Sequence, residues 1–143
     1  MKALSVRQPW AWGIVHAGKR IENRTWRCHY RGEVFIHTSK LPVPKRYVPD
    51  AFIAEFDAMR EMAEQAGHVF ETLVTYRQLL LESGAIVGRA RIVDCVTESN
   101  SPWFVGPFGI VLEDVRQTPI VPCKGALGLW EVPRELEGMA VAL

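Results

Sequence analysis

The chain begins with a short alternating segment that predicts a strand followed by a helix. Residues 4–7 alternate apolar with polar side chains, as in a strand with one buried face. Pro9 suits the first turn of a helix that runs to about Ala17, with Gly18 as its left-handed stop. Gln8 falls at the N-cap, where an amide is a poor capper, so we expect its side chain to be free for another partner.

Two further strands are predicted from period-two alternation before residue 40. Over residues 21–26 the alternation puts Glu22, Arg24 and Trp26 on one face. A turn over residues 30–32 then leads into a strand over residues 33–39. The first of these strands therefore presents a carboxylate, a guanidinium and an indole in a row.

The middle of the chain carries helical patterns. A proline-bearing linker over residues 41–49 precedes Asp50, a good N-cap for a helix that ends near Gly67. The apolar stripe of this helix comprises Phe52, Phe56, Met59, Ala63 and Ala66. A weaker helical pattern runs from about Glu71 to Glu82, and we expect its leucines at 79–81 to anchor it on the core.

The pattern returns to alternation in the last part of the chain. Strands are predicted over residues 86–93, 108–112 and 126–132. Small residues recur in these segments, as in the bends of a small barrel. The sequence thus predicts an α+β fold: one domain over residues 1–143, with five or six strands, a short N-terminal helix and a two-helix insertion over about 49–82.

Composition limits the class of protein. The chain has 143 residues, of which 48% are hydrophobic, enough for the core of one domain. No apolar run approaches the length of a membrane span, and the N-terminus lacks the apolar core of a signal peptide. Cys28, Cys95 and Cys123 are odd in number and widely spaced, which argues against a disulfide framework. We therefore expect a cytoplasmic protein without a membrane partner.

Charge is divided unevenly along the chain. Residues 1–48 carry ten Lys and Arg against two Glu, a formal +8, whereas residues 49–143 carry a formal −7. Trp10, Trp12 and Trp26 lie in the basic part. Aromatic rings among basic groups favour nucleic-acid binding, because bases stack while phosphates are neutralised. The alternative is a core that uses Trp and a basic surface that is merely solvated.

Several chemistries have no support in the sequence. Cys28 and His29 are adjacent rather than spaced for tetrahedral metal ligation. Glycine-rich phosphate loops and the nucleophile elbow of serine hydrolases do not occur. No metal and no cofactor are expected.

Several short segments carry a family resemblance. They are 4–12 (LSVRQPWAW), 19–26 (KRIENRTW), 30–32 (YRG), 36–40 (IHTSK), 106–109 (GPFG) and 124–130 (KGALGLW). These segments resemble the ASCH (activating-signal-cointegrator homology) family of PUA-like barrels, whose signature is G-x-K-x-x-E-x-R. Lys19, Glu22 and Arg24 match the last three fixed positions, and Ala17 stands where the family has its first glycine. The resemblance covers about residues 3–40 and 84–133.

The resemblance implies a PUA-like β-barrel with a cleft near the motif, expected to hold RNA or a nucleobase derivative. A bacterial branch of the family removes the acyl group from N4-acetylcytidine, and ribonuclease activity has been proposed for another member. The acyl-cytidine branch is similar in the lysine that matches Lys19. Its threonine nucleophile aligns with Glu22, so that mechanism lacks its nucleophile in this chain.

The motif residues admit functional and purely structural interpretations. Lys19 and Arg24 are suited to hold a phosphate or a carboxylate. Alternatively, Glu22 pairs with both cations and the three residues form only a structural salt bridge. In an enzyme, Glu22 would be a general base and Lys19 would stabilise developing negative charge. A ribonuclease would then need His37 or Tyr30 as the acid, although a lone histidine is more often structural.

We predict a cleft formed by five residues of the basic region: Gln8, Lys19, Glu22, Arg24 and Trp26. Trp26 is the candidate for base stacking, whereas Trp10 and Trp12 are expected to pack against the barrel. Trp103 is either an aromatic residue at the rim of the cleft or a plug, and we favour the plug. Arg31, Ser39 and Lys40 complete the expected ligand-binding set. The predicted partner is RNA, a single-stranded nucleic acid or a modified nucleoside. The alternatives are a small nucleic-acid-directed hydrolase (a ribonuclease or a nucleoside amidohydrolase) and a protein-interaction module in transcription or translation.

Overall fold

A computed structural model describes residues 1–41, 47–70 and 75–141. Its elements, in chain order, are β1 (Lys2–Val6), α1 (Trp10–His16), β2 (Ile21–Arg24), β3 (Gly32–Thr38), α2 (Asp50–Gln65), α3 (Tyr76–Leu81), β4 (Ala85–Val96), β5 (Phe108–Pro122), β6 (Leu129–Glu131) and α4 (Arg134–Ala140). None of the helices in these three ranges is long and apolar enough to cross a membrane. The cytoplasmic location stays a prediction.

The strands form one sheet in the order β2-β5-β4-β3-β1-β6. All neighbouring strands are antiparallel except β1 and β3, which run parallel because the chain passes through α1 and β2 between them. The sheet curls into a half-barrel. The expected α+β class and PUA-like barrel architecture are therefore confirmed.

The core consists of three apolar clusters. The largest lies inside the curled sheet and includes Leu4, Ile36 and Ile110 together with residues of α1. A second cluster joins the inserted helices α2 and α3 to the barrel and contains Ala17, Ile21, Phe52, Phe56, Met59, Ala63, Leu79, Leu80 and Trp103. A third lies where α4 approaches β5. The insertion is thus packed against the start of β2, the strand that carries the motif.

The helices begin and end close to the predicted positions. Gly18 has φ +75° after α1, and Gly67 has φ +89° after α2, as expected of left-handed stops. Asp50 is the first residue of α2 rather than its N-cap, a position that Pro49 occupies. Ala66 lies beyond the helix and is exposed, so the apolar stripe ends one turn earlier than predicted.

The second inserted helix is described over only part of its predicted range, Glu71 to Glu82. The expected start at residues 71–74 lies outside the described residues, as does the linker segment 42–46. The described helix α3 begins after Thr75, whose side chain accepts a hydrogen bond from the backbone N–H of Gln78. Leu79 and Leu80 are buried as expected, but Leu81 is 66% exposed because a short helix buries only one side.

The C-terminal strands differ most from the prediction. β5 continues ten residues beyond its predicted end at Leu112, because its ladder with β4 extends through a polar stretch that carries no apolar alternation. β6 covers only three residues, and residues 126–128 form a loop instead of the start of a strand. α4, which begins after Pro133, was not predicted.

Candidate functional site

A cavity of about 640 Å³ lies between the sheet and the inserted helix α2. Strands β1 and β2 and the segment after β2 supply much of its wall, α2 contributes Ala58 and Met62, and two loops close its rim. The lining residues are Ser5, Arg7, Trp10, Lys19, Glu22, Asn23, Arg24, Thr25, Trp26, Ser39, Ala58, Met62, Val105, Gly106, Leu127 and Gly128. Lys19, Glu22, Arg24 and Trp26 therefore share one cavity.

Lys19, Glu22 and Arg24 form a charged wall on one side of the cavity, and Lys19 is its most deeply buried member. The turn at Gly18 directs the chain back under α1, where the backbone N–H of Lys19 donates to the Gly13 carbonyl at 3.0 Å. The residue is only 1% exposed. Its ammonium donates to Glu22 Oε1 at 2.7 Å and to the carbonyl of Ile21. A buried ammonium needs such partners, because desolvation is otherwise prohibitive.

Arg24 completes a chain of ion pairs. Its Nη2 donates to Glu22 Oε2 at 3.0 Å and to the carbonyl of Ser5, so both oxygens of Glu22 accept from cations. The Nε–H of Arg24 is buried and has no hydrogen-bond partner among the described residues. Two cations and one carboxylate leave this wall with a net positive charge beside an unused donor.

Two tryptophan rings face these cations. The Arg24 guanidinium lies 5.8 Å from the ring centroid of Trp26, and the Lys19 ammonium lies 5.7 Å from that of Trp10. Both rings line the cavity and are half-buried. Trp10 therefore contributes to the cavity as well as to the core, against which it was expected only to pack.

The other two tryptophans near the insertion are structural. Trp12 stacks on Phe70 with ring centroids 5.9 Å apart and does not line the cavity. Trp103 is 2% exposed in the cluster beneath α2 and α3, so its expected role as a plug fits its position. Asn23 ties this loop to β2: its amide donates to the Trp103 carbonyl at 2.9 Å, and its oxygen accepts from the backbone N–H of Val105 and Gly106.

Arg7 is a cavity residue that the sequence interpretation missed. Its guanidinium forms a two-pronged ion pair with Glu55 of α2, with Nε donating to Oε2 at 3.2 Å and Nη2 to Oε1. The Arg7 side chain is 58% exposed and that of Glu55 35%. An ion pair this exposed contributes about 0–1 kcal/mol, whereas breaking a buried pair such as Lys19–Glu22 costs about 3–5 kcal/mol.

Three predicted ligand-binding residues are not brought to the cavity. Gln8 is 1% exposed, and its side-chain oxygen accepts the backbone N–H of Trp12 at 2.9 Å, so this oxygen satisfies a donor in the first turn of α1 instead of facing a ligand. Arg31 donates to the carbonyls of Cys28 and Tyr30. Lys40 is exposed but lies outside the lining, whereas Ser39 belongs to it.

The proposed acids of a ribonuclease also lie elsewhere. His37 is buried, and its Nε2–H donates to the Cys123 carbonyl at 2.9 Å. Its ring and the Trp130 ring form a T-shaped contact, with ring centroids 5.3 Å apart. Burial lowers the pKa of His37, opposed in part by that hydrogen bond. The Tyr30 hydroxyl donates to the Glu33 carbonyl at 2.9 Å. Neither side chain lines the cavity that holds Lys19.

The rim of the cavity carries exposed apolar side chains. Val105 is 67% exposed and Leu127 is 97% exposed, and both line the opening. The glycine-flanked segment around Leu127 was interpreted as a strand, although the glycines at 125 and 128 were a signal for a loop.

Within the described ranges, no group of three or more His, Cys, Asp or Glu side chains is placed to hold a metal ion.

Comparisons with known proteins agree with this architecture. The family model of the ASCH domain matches residues 4–105 and thus spans the inserted helices, which the motif resemblance did not include. Human activating signal cointegrator 1 is 26% identical in an alignment that covers 93% of this chain and 22% of that protein; for the mouse protein the values are 27%, 85% and 18%. The chain spans about a fifth of the length of these relatives. Since the family model matches well over half of its residues, this chain belongs to the ASCH domain family.

Proposed function

We propose that this ASCH domain binds single-stranded RNA by taking one nucleobase into the cavity beside Trp26. The observation that carries the proposal is the meeting of Lys19, Arg24 and the Trp26 indole in the wall of one cavity. Its volume of about 640 Å³ is in the range of small-ligand sites, about 300–1,000 Å³. Stacking against an indole is tolerant of base identity, because every base has an aromatic face.

The electrostatics of the wall support an anionic ligand with hydrogen-bond acceptors. Arg7, Lys19 and Arg24 outnumber Glu22, the one acidic residue among the described lining residues. The Nε–H of Arg24 is buried without a partner, and an unsatisfied donor of this kind costs about 1–3 kcal/mol. A carbonyl or ring nitrogen of a base would supply the missing acceptor.

Trp26 can be tested against a matched tryptophan. We expect Trp26→Leu to weaken binding of a single-stranded RNA of about ten nucleotides by roughly 5- to 150-fold, the equivalent of about 1–3 kcal/mol for one lost stacking contact. The control is Trp12→Leu, because Trp12 stacks on Phe70 away from the cavity. Binding is measured by fluorescence anisotropy of labelled RNA at several salt concentrations.

The outcomes separate RNA binding from a protein-interaction role. Affinity for RNA that falls linearly with the logarithm of salt, and that Trp26→Leu reduces and Trp12→Leu does not, supports the proposal. Equal affinities of the two variants would refute stacking at Trp26. No measurable RNA binding at low salt would instead favour a protein partner for this domain.

A further inference from the structure

The cation at the mouth of the cavity, Arg7, is held differently from the two cations inside it. Lys19 and Arg24 are locked by Glu22, which is 8% exposed, and by backbone carbonyls. Arg7 is paired instead with Glu55, a side chain of the inserted helix α2 that does not line the cavity. Of the two carboxylates that pair with these three cations, Glu55 is therefore the one that solvent and ligands can reach.

We propose that Arg7 is a phosphodiester-binding site whose resident counter-ion is Glu55, and that a phosphate of the bound RNA displaces this carboxylate. The inference rests on the proposed function, since it concerns the backbone of the strand whose base enters the cavity. It also assigns a role to the acidic insertion: α2 supplies a carboxylate that a ligand must replace.

The geometry of the pair supports a phosphate as the competitor. Nε and Nη2 of Arg7 each bond one oxygen of Glu55, the two-pronged arrangement that a guanidinium also makes with two phosphate oxygens. Exchange of one two-oxygen anion for another keeps both hydrogen bonds of Arg7. Because both side chains are substantially exposed, the exchange leaves no buried charge unpaired.

The position of Arg7 favours a nucleotide within an RNA strand over a free nucleoside. Arg7 and the Trp26 ring line the same cavity, so a base stacked on the ring has its phosphates near the mouth. A free nucleoside has no phosphate to displace Glu55. The affinity of the domain for a free nucleoside is therefore expected to be independent of the Arg7–Glu55 ion pair, whereas its affinity for an RNA strand is expected to depend on that pair.

The test removes the competing charge while keeping the shape of the side chain. Glu55→Gln is compared with Asp57→Asn, which removes the same charge from the exposed side of α2, where Asp57 forms no ion pair with any residue that the structure describes. Binding of a single-stranded RNA of about ten nucleotides and of the free ribonucleosides is measured for the wild type and both variants across a salt series. Arg7→Gln and the Arg7→Gln/Glu55→Gln double variant complete the set.

We expect Glu55→Gln to bind the RNA about two- to fivefold more tightly. Its plot of log affinity against log salt should be steeper by about 0.7, because Arg7, no longer compensated by a carboxylate, neutralises one more phosphate and releases the counter-ion of that phosphate from the RNA. Asp57→Asn should change neither quantity to this extent. In the Arg7→Gln background, the gain from Glu55→Gln should vanish, and nucleoside binding should be the same in all variants.

The two proposals fail in different ways. RNA binding that Trp26→Leu weakens but Glu55→Gln leaves unchanged would overturn the Arg7 site and leave the cavity proposal standing. Equal gains from Glu55→Gln and Asp57→Asn would show a general charge effect and would also overturn it. Absence of both RNA and nucleoside binding to the wild type would overturn both proposals.

Discussion

Replacing Lys19 by methionine is the sharpest test of the charged wall. Lys19 is 1% exposed, its ammonium donates to Glu22 Oε1 at 2.7 Å, and its aliphatic stem packs beside Gly13. Methionine keeps most of the stem volume and removes the charge. Glu22 then retains Arg24 as its partner, so we expect a loss near the lower end of the range for broken buried pairs, about 3 kcal/mol.

This loss is large relative to the stability of a small domain. Folded domains are stable by about 5–15 kcal/mol, and about 3 kcal/mol lowers Tm by roughly 6–12 °C for a chain of about 150 residues. Urea denaturation followed by Trp fluorescence gives the change in free energy of unfolding. Because α2 and α3 share an apolar cluster with Ala17 and Ile21, we propose a single domain and expect one transition.

A matched variant and a double variant provide the controls. Arg7→Met removes an exposed cation of the same cavity and should cost at most about 1 kcal/mol. Lys19→Met combined with Glu22→Gln should cost less than the sum of the two single changes, since it leaves no carboxylate short of a partner. Equal effects of Lys19→Met and Arg7→Met, or strict additivity in the double variant, would refute the view that Lys19 and Glu22 form a tightly coupled buried pair.

Two further predictions concern the loop that leads from β5 to β6. Burial lowers the pKa of His37, so below its ordinary pKa of 6.5 the unfolded chain binds more protons, and stability is lost as pH falls from about 6.5 through the folded pKa. The free energy of unfolding of His37→Gln, measured by urea denaturation, should therefore fall less between pH 7.5 and 5.0 than that of the wild type. His29→Gln, which changes an exposed histidine, serves as the control. Identical pH dependence of all three proteins would contradict this prediction. Gly125→Ala would place a Cβ in steric conflict with the His37 ring and should lower stability by about 1–3 kcal/mol. Gly138→Ala, whose Cβ would meet none of the described residues, should not destabilise; comparable thermal melts for the two variants would rule out the steric argument.

Local patterns were sufficient to predict how the motif is presented. The period of two in β2 places Glu22 and Arg24 on one face, and the left-handed glycine before Lys19 turns that lysine towards them. Both relations involve residues at most a few positions apart. They depend on backbone geometry that the residue types themselves favour, so the order of side chains along the chain was enough.

Several failures of prediction have a common cause in long-range burial. His37 is a polar side chain in the basic region, and nothing in its neighbours along the chain shows that it is enclosed, whereas Gln8 was misjudged locally because its oxygen accepts from the backbone N–H of Trp12. His37 is closed in by the carbonyl of Cys123 and the ring of Trp130, about 90 residues away in the chain. The length of β5 was missed for the same reason: its polar half is held by pairing with β4 and not by apolar alternation.

The sequence by itself determined that a lysine, a carboxylate, an arginine and an indole follow one another over residues 19–26, because alternation and turn residues act locally. In the structure only Glu22 and Arg24 lie on the strand β2; Lys19 precedes it, and Trp26 follows it although the alternation had placed it on the strand. Only the tertiary structure decided what encloses them. The insertion brings Ala58 and Glu55 to the cavity and its mouth, and the loop before β6 brings Leu127 to its rim. Each of these contacts joins segments that are distant in the chain, and packing of the whole fold, rather than any local preference, sets which segments meet.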